Sequence, residues 1–410
     1  MHAALALLRR RPHFRRLWAG GVTSLLGDSI GWVAVAMLAL QRGGGPLDLA
    51  LVFLAHHLPE ALLAPIAGSV ADRVDRRLLL CVTSLALGGI TLLMAAAAAG
   101  ADLLALQVLL MVRSAAVAFI RPAERAALPR VVEDDELLLA GALDAASWSV
   151  MFGLGMAAGG AISLLGPVIA LVLDAITFGL AAACFSRLPR LVPAPDEDLP
   201  PVRLMHGLRD ALAFVWPRPR LRAAVFAKAG FGIAAGGGWI ALAVQADALG
   251  GAAFGGLGFG LLQALRGMGS GVGPALVVGR TRLRPGVMWP SAVGIGLLSV
   301  LALAVSNHPA ALGLAALGWG LGGGTNWVLS TAQIQRLAPD AIAARTNALD
   351  QFGSILGMSL GTIAVALALE GGRSPLTAVA IATTAALLPL LGLWRTAVVG
   401  AAPLSGGPRH

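Results

Sequence analysis

Residues 9–40 read Arg9-Arg10-Arg11-Pro12-His13-Phe14-Arg15-Arg16 followed by an apolar run, Leu17 to Leu40, that carries a single charge, Asp28. One helix needs roughly 20 apolar residues to cross a bilayer. The run is too long for the apolar part of a cleaved leader and lacks a small-x-small exit. It therefore predicts a retained first span whose basic flank stays on the inner side. The rest of the chain repeats this alternation. Of 410 residues, 57% are apolar, 12% are charged and none is Tyr, and the mean hydropathy is +0.81. A soluble domain carries about twice that share of charge. This excludes an ordinary soluble enzyme, a disordered chain and a disulfide-bonded secreted scaffold. Cys81 and Cys184 both lie in apolar runs and read as small core residues, not as a disulfide or metal ligands.

A window of spanning length predicts an all-α integral membrane protein with twelve transmembrane helices. In the first half they cover residues 17–40, 49–70, 77–99, 103–120, 137–161 and 166–187. In the second half they cover 221–245, 252–278, 286–306, 309–331, 345–369 and 375–398. The formal net charge of +9 sits in short clusters between these runs, as a topology signal does, rather than on one nucleic-acid-binding face. Of the 30 Lys and Arg residues, only Arg42 and Arg373 fall opposite the N-terminus, and only Arg113, Lys228 and Arg266 fall within spans. That asymmetry predicts a multi-pass membrane protein with both termini cytoplasmic.

Three regions follow: residues 1–188, an N-terminal six-helix bundle; 189–219, a cytoplasmic linker; and 220–410, a C-terminal six-helix bundle. The linker opens with Pro193, Pro195, Asp196, Glu197, Asp198, Pro200 and Pro201, which suit a tether. It continues with Leu204, Leu208, Ala211, Leu212 and Val215, spaced for a short amphipathic helix on the inner membrane surface. Ala142-Leu143-Asp144 recurs half a chain later as Ala348-Leu349-Asp350, and a similar offset carries Pro129 close to Pro339. The two bundles are therefore read as a pseudo-symmetric pair.

The loop between spans two and three reads Gly68-Ser69-Val70-Ala71-Asp72-Arg73-Val74-Asp75-Arg76-Arg77. It resembles the G-x-x-x-D-R-x-G-R-[RK] motif of the major facilitator superfamily, with Asp75 in place of the second Gly. Arg121-Pro122-Ala123-Glu124-Arg125 through Leu139-Ala140-Gly141-Ala142-Leu143, and Leu173-Asp174-Ala175-Ile176-Thr177-Phe178, resemble the branch of enterobactin exporters and macrolide efflux proteins. Gly155-Met156-Ala157-Ala158-Gly159-Gly160 is similar to the exporter motif G-P-x-x-G-G, with Met for Pro. Gly155, Gly159 and Gly160 then form a helix-packing motif. The resemblance implies a secondary active transporter of the bacterial inner membrane, not an enzyme, that exports small amphipathic or hydrophobic molecules of drug or siderophore type. It implies proton antiport and alternating access about a cavity lined by spans one, four, seven and ten. An uptake permease or lysophospholipid carrier of the same fold, and a non-transporting membrane sensor or scaffold, are the rivals.

Charge within a bilayer is costly enough to mark function by default. Asp28, Glu60 and Arg113 lie near the middle of spans one, two and four and are the proton-coupling candidates. In the span arrangement that the resemblance implies, Asp28 and Arg113 face the cavity and one another, and Glu60 follows Pro59, one turn from His56 and His57. Asp144 and Asp174 are read as structural, and Arg266 has no partner that the sequence names. Gly68, Asp72, Arg73, Arg76 and Arg77 form a candidate conformational latch. Gly68 would admit a neighbouring helix, and Asp72 would accept charge-assisted hydrogen bonds or face the N-terminus of span eleven when the inner side is closed. Gln107, Gln245, Gln263, Asn326 and Gln333 are the substrate-cavity candidates, in a cleft otherwise apolar.

Gly318-Trp319-Gly320-Leu321-Gly322-Gly323 fits a dinucleotide fingerprint but lies inside span ten with no preceding strand, so it reads as helix packing. The chain contains no phosphate-loop motif, and Lys228 is its only lysine. The expected partners are the lipid bilayer, a small-molecule substrate and protons; neither ATP, nucleic acid, metal nor any cofactor is expected.

Overall fold

The computed structural model describes residues 2–41, 45–71, 73–100, 102–192, 204–277 and 285–399. Those residues form fourteen α-helices with short 3₁₀ turns and no strand. The first part comprises α1 (His2–Arg10), α2 (Pro12–Gln41), α3 (Pro46–Ala71), α4 (Arg76–Ala99), α5 (Leu103–Val117), α6 (Ile120–Ala127), α7 (Leu137–Ile162) and α8 (Pro167–Phe185). The second comprises α9 (Leu204–Val215), α10 (Pro219–Val277), α11 (Pro285–Val305), α12 (Pro309–Leu337), α13 (Asp340–Glu370) and α14 (Pro375–Val399). Seven of these helices open on a proline, where the missing N–H is one that no carbonyl would have accepted. Asp102 caps α5 by accepting from the Ala105 N–H at 2.9 Å.

A straight helix the length of α10 would run about 90 Å. Instead it doubles back: a Cβ built on Gly255 would lie 3.1 Å from the Asp247 Cα. The two limbs therefore supply two antiparallel spans. Among the described residues, ten helical segments are long and apolar enough to cross a membrane. The returning limb of α10 and the whole of α12 complete the twelve expected from the sequence. They are less hydropathic because glycine occupies the positions where their backbones touch. A Cβ on Gly269 would lie 2.8 Å from the Leu321 nitrogen, and one on Gly324 would lie 2.7 Å from the Ser270 Cα. Large apolar side chains such as Leu85, Leu93, Leu298 and Leu314 point outward, as a lipid-facing surface requires.

The two halves meet along α7 and α10, and again at the end remote from the chain termini. Gly155 and Gly159 of α7 face α2, where added Cβ atoms would lie 2.9 Å from the Leu26 carbonyl and 3.0 Å from the Ile30 Cα. Gly160 faces the other half, 2.9 Å from the Gly256 carbonyl and 3.1 Å from the Leu257 Cα by the same measure. Lipid is as apolar as leucine, so such contacts hold helices together by close backbone approach rather than by exclusion of water. At the remote end Trp32 of α2 and Phe53 of α3 pack on Trp239 of α10, with ring centroids 5.9 and 5.8 Å apart. Residues 30–39 of α2 are buried throughout, whereas residues 21–28, nearer the termini, are mostly only half-buried.

Asp75 has a definite task. Its carboxylate caps α4 through the Arg77 N–H at 3.0 Å and accepts from the Leu191 N–H at 3.0 Å, which fastens the chain leaving α8 to the first half. The amphipathic helix is α9, but its apolar face is not free to lie on lipid. Ala211 and Val215 are fully buried against α10, α12 and α13, and Asp210 pairs with Arg345 at 3.2 Å; Leu212 and Trp216 remain exposed. The proline- and acid-rich residues 193–203 lie outside the described residues.

Gly160→Leu should destabilise the protein by about 1–3 kcal/mol through overpacking of the α7–α10 seam. Gly179→Leu, where an added Cβ meets nothing within 4 Å, should be near neutral in the same detergent thermal-unfolding assay.

Candidate functional site

Arg113, one of two buried side chains at consecutive positions of α5, organises the interior of the first half. Its Nη1 lies 2.7 Å from Asp28 Oδ1 on α2, and its Nη2 donates to Asp174 Oδ2 on α8 at 2.9 Å. Its Nε donates to Thr91 Oγ1 on α4 at 3.2 Å, and its guanidinium stands 5.2 Å from the Phe178 ring centroid. Gly27 and Gly31 of α2 make room for this arrangement, since Cβ atoms there would lie 2.8 and 2.5 Å from the Asp174 carboxylate oxygens. The two carboxylates are not equivalent. The Asp174 side chain is 1% exposed, whereas the Asp28 side chain is 27% exposed.

Asp28 opens onto a cavity of about 50 Å³ between α2, α4, α5, α6 and α8, lined among others by Ser24, Arg121 and Glu124. Glu124 pairs with Arg121 at 3.5 Å, and its side chain is mostly buried. The cavity therefore has carboxylates at both ends and room for one or a few waters.

The neighbouring polar residue of α5, Ser114, performs a different function. Its hydroxyl donates to the His56 carbonyl and accepts from the Glu60 N–H at 3.3 Å, so it stands inside what would be a helical hydrogen bond of α3. Pro59 lies within the same turn, and an inserted side chain next to a proline is a recognised cause of a helix opening. The Glu60 carboxylate has no ion-pair or hydrogen-bond partner among the described residues and does not join Arg113. His56 and His57 pack into the aromatic seam, 4.4 Å from Trp32 and 4.3 Å from Phe53.

Several sequence expectations are corrected. Asp174, read from the sequence as structural without a partner, is the second carboxylate on Arg113. Gln245 does not line a cavity, because it is buried and donates to the Leu303 and Ala304 carbonyls at 3.3 and 3.4 Å. Asn326 is likewise buried and accepts from Trp289 Nε1 at 2.6 Å. Gln263 is fully buried and accepts from Arg266 Nε at 2.6 Å. Gln107 and Gln333 are half-buried, and neither lines the cavity beside Asp28. Within the latch loop, Asp72 lies outside the described residues. A Cβ on Gly68 would meet nothing within 4 Å, so no helix uses this glycine for close approach here. Arg76 is buried, the Arg77 N–H is held by Asp75, and the Arg73 N–H donates to the Val70 carbonyl at 3.0 Å.

The sequence also left two features unread. Lys228 of α10 donates to Asp350 of α13 at 2.5 Å and to Thr331 of α12 at 2.9 Å, and stands 4.3 Å from the Trp327 ring. This is a second buried charge pair, in the other half, and its acid belongs to the repeated Ala-Leu-Asp tripeptide. Arg266, for its part, lies among the rings of Trp239, Phe152 and Trp319. Neither partner set was legible from spacing alone, since α10, α12 and α13 meet only in the fold.

The sequence profile described as Major Facilitator Superfamily matches residues 17–362. Macrolide efflux protein A of Streptococcus pyogenes is 29% identical over 126 residues, which is 30% of this chain and 31% of that protein. An uncharacterised MFS-type transporter of Mycobacterium bovis is 32% identical over 155 residues, 36% of this chain and 34% of its own length. The chain thus spans about a third of the curated relatives it matches. Among solved structures, the nucleoside transporter NupG superposes with a TM-score of 0.73 at 13% identity, over 93% of this chain and 98% of its own. A bacterial homologue of the lysosomal transporter Spinster, inward-facing and unoccupied, superposes with a TM-score of 0.68 at 13% identity, over 95% of both chains. At those identities the likeness establishes the fold.

Arg113→Leu, which strands two carboxylates in the interior, should cost about 3–5 kcal/mol in detergent thermal unfolding. Adding Asp174→Asn should recover part of that loss.

Proposed function

Because the chain belongs to the major facilitator superfamily, we propose that it is a secondary active exporter of small amphipathic or hydrophobic molecules, driven by proton antiport across the bacterial inner membrane. The observation that carries this reading is the Asp28–Arg113–Asp174 group. One guanidinium cannot neutralise two carboxylates, and a net negative charge at mid-membrane is unfavourable. The group therefore has a place for one exchangeable proton, and Asp28, with the cavity beside it, is where that proton enters. Glu124 stands at the far end of the same cavity and extends the path toward the terminal side. Glu60 remains a coupling candidate of its own on α3, apart from this group.

The loops that hold most of the arginines adjoin the chain termini, which favours cytoplasmic termini. On that assignment the tight aromatic seam closes the outer side, and the arrangement corresponds to the inward-open state. The loop of Gly68, Asp72, Arg73, Arg76 and Arg77 then acts as a latch only after the two six-helix bundles, residues 1–188 and 220–410, rock together at the inner end. Export rather than uptake is supported by the similarity to a macrolide efflux protein, which also makes macrolide-sized amphipathic molecules a reasonable first panel. A non-transporting scaffold would have no need of a charge group that opens to a cavity.

Inverted vesicles with an imposed pH gradient should accumulate erythromycin or ethidium in the wild type. Asp28→Asn should lower accumulation at least about ten-fold, since it removes the exchangeable proton, while Glu60→Gln separates the second candidate. Transport that is insensitive to a protonophore and intact in both variants would show that neither carboxylate couples it to protons.

A further inference from the structure

Three cations lie within spans, and their surroundings differ in a way that identifies one of them. Arg113 faces two carboxylates and Lys228 faces one. Arg266 faces none among the described residues. Its Nε donates to Gln263 at 2.6 Å, and its other guanidinium N–H groups have no hydrogen-bond partner among those residues. What surrounds it is aromatic: Trp239 at 4.6 Å, Phe152 at 4.9 Å and Trp319 at 5.0 Å from the guanidinium carbon to the ring centroids. Cation–π contacts offset part of the cost of a charge removed from water. They do not satisfy N–H donors, of which guanidinium has five.

The position is as informative as the chemistry. Phe152 belongs to α7 of the first half, whereas Arg266, Trp239 and Trp319 belong to α10 and α12 of the second. The guanidinium thus lies where the halves meet, beside the aromatic seam that closes the remote end, and Arg266 as a whole residue is half-buried. The backbone beneath it is held firmly. A Cβ on Gly320 would lie 2.9 Å from the Arg266 carbonyl carbon and from the Ser270 nitrogen, so α12 sits directly on this stretch of α10. A fixed backbone, an aromatic wall on three sides and a planar fork of free donors together match a ligand with a flat apolar body and a terminal oxyanion.

We propose that Arg266, with Trp239, Trp319 and Phe152, forms an anion-recognition site at the interface of the halves, and that the molecules this protein binds include amphipathic organic carboxylates. This adds an anionic class of ligand to the transport reading and rests on it. Its test, however, is an equilibrium binding measurement that needs neither a pH gradient nor turnover.

Protein in nanodiscs of zwitterionic lipid is titrated calorimetrically with 1-naphthoate, with its neutral isostere 1-naphthamide and with 1-naphthylmethylammonium, each corrected against empty nanodiscs. The wild type should bind the carboxylate roughly ten- to a hundred-fold more tightly than the amide, the worth of a charge-assisted hydrogen-bonded pair. The ammonium ion should bind more weakly still. Arg266→Gln should erase the preference. Arg266→Lys, which keeps the charge but not the fork, should reduce it, and serves where the glutamine variant fails to fold. Equal affinity for acid and amide in the wild type, no saturable carboxylate binding at millimolar concentration, or an undiminished preference in either variant would overturn the proposal. Loss of proton-coupled flux with carboxylate binding intact would count against the coupling mechanism alone.

Discussion

The arginine on α5 determines how the first half assembles. In hydrocarbon, apolar helices gain little by touching one another, so the forces that select partners are close backbone packing and polar contacts. Arg113 supplies the strongest of these: it reaches α2 through Asp28, α4 through Thr91 and α8 through Asp174 and Phe178. A guanidinium left without partners at that depth would cost several kcal/mol. The four helices therefore have to converge on it, and Gly27 and Gly31 exist in α2 at the positions where the Asp174 carboxylate must fit. Lys228 and Asp350 do the same for α10 and α13 of the second half, with a smaller charge set.

The difference between those two charge groups connects structure to function. The Lys228 pair is balanced, one cation to one acid, and both side chains are almost fully buried. The Arg113 group has one acid too many, and its more exposed acid looks onto a cavity. A balanced buried pair serves as a fixed tie. An unbalanced one that looks onto a cavity is what the proposed proton exchange requires. Ser114, the next residue on α5, enters the hydrogen-bond ladder of α3 beside Pro59, so the same helix that carries the charge group also touches a weakened point of the helix bearing Glu60.

Much of this was legible in the sequence. The spans, the in-span charges and the glycine motif of α7 could be read because each depends on local composition or on fixed spacing along one helix. The facing of Asp28 and Arg113 also followed from the span arrangement that the family resemblance implies. The amides were misread for a physical reason: a glutamine in an apolar run has the same sequence signature whether it faces a cavity or, like Gln245, donates to the carbonyls of a neighbouring helix. Asn326 was misplaced in the same way, since only the approach of α11 brings Trp289 to it. The pairing of Asp174 with Arg113 went unread because the two lie 61 residues apart.

By itself, then, the sequence determined that the chain is a polytopic helical protein, where its helices begin and which charges must be accounted for inside the bilayer. Composition settles those points because the bilayer penalises each exposed polar group locally, one segment at a time. Only the tertiary structure decided how the in-span cations are compensated: Arg113 by two acids, Lys228 by one, and Arg266 by aromatic rings and an amide. It also showed that the halves close at the end remote from the termini. These depend on which helix faces come together, and that is set by glycine contacts and ion pairs between residues far apart in the chain, which no periodicity within a single helix encodes.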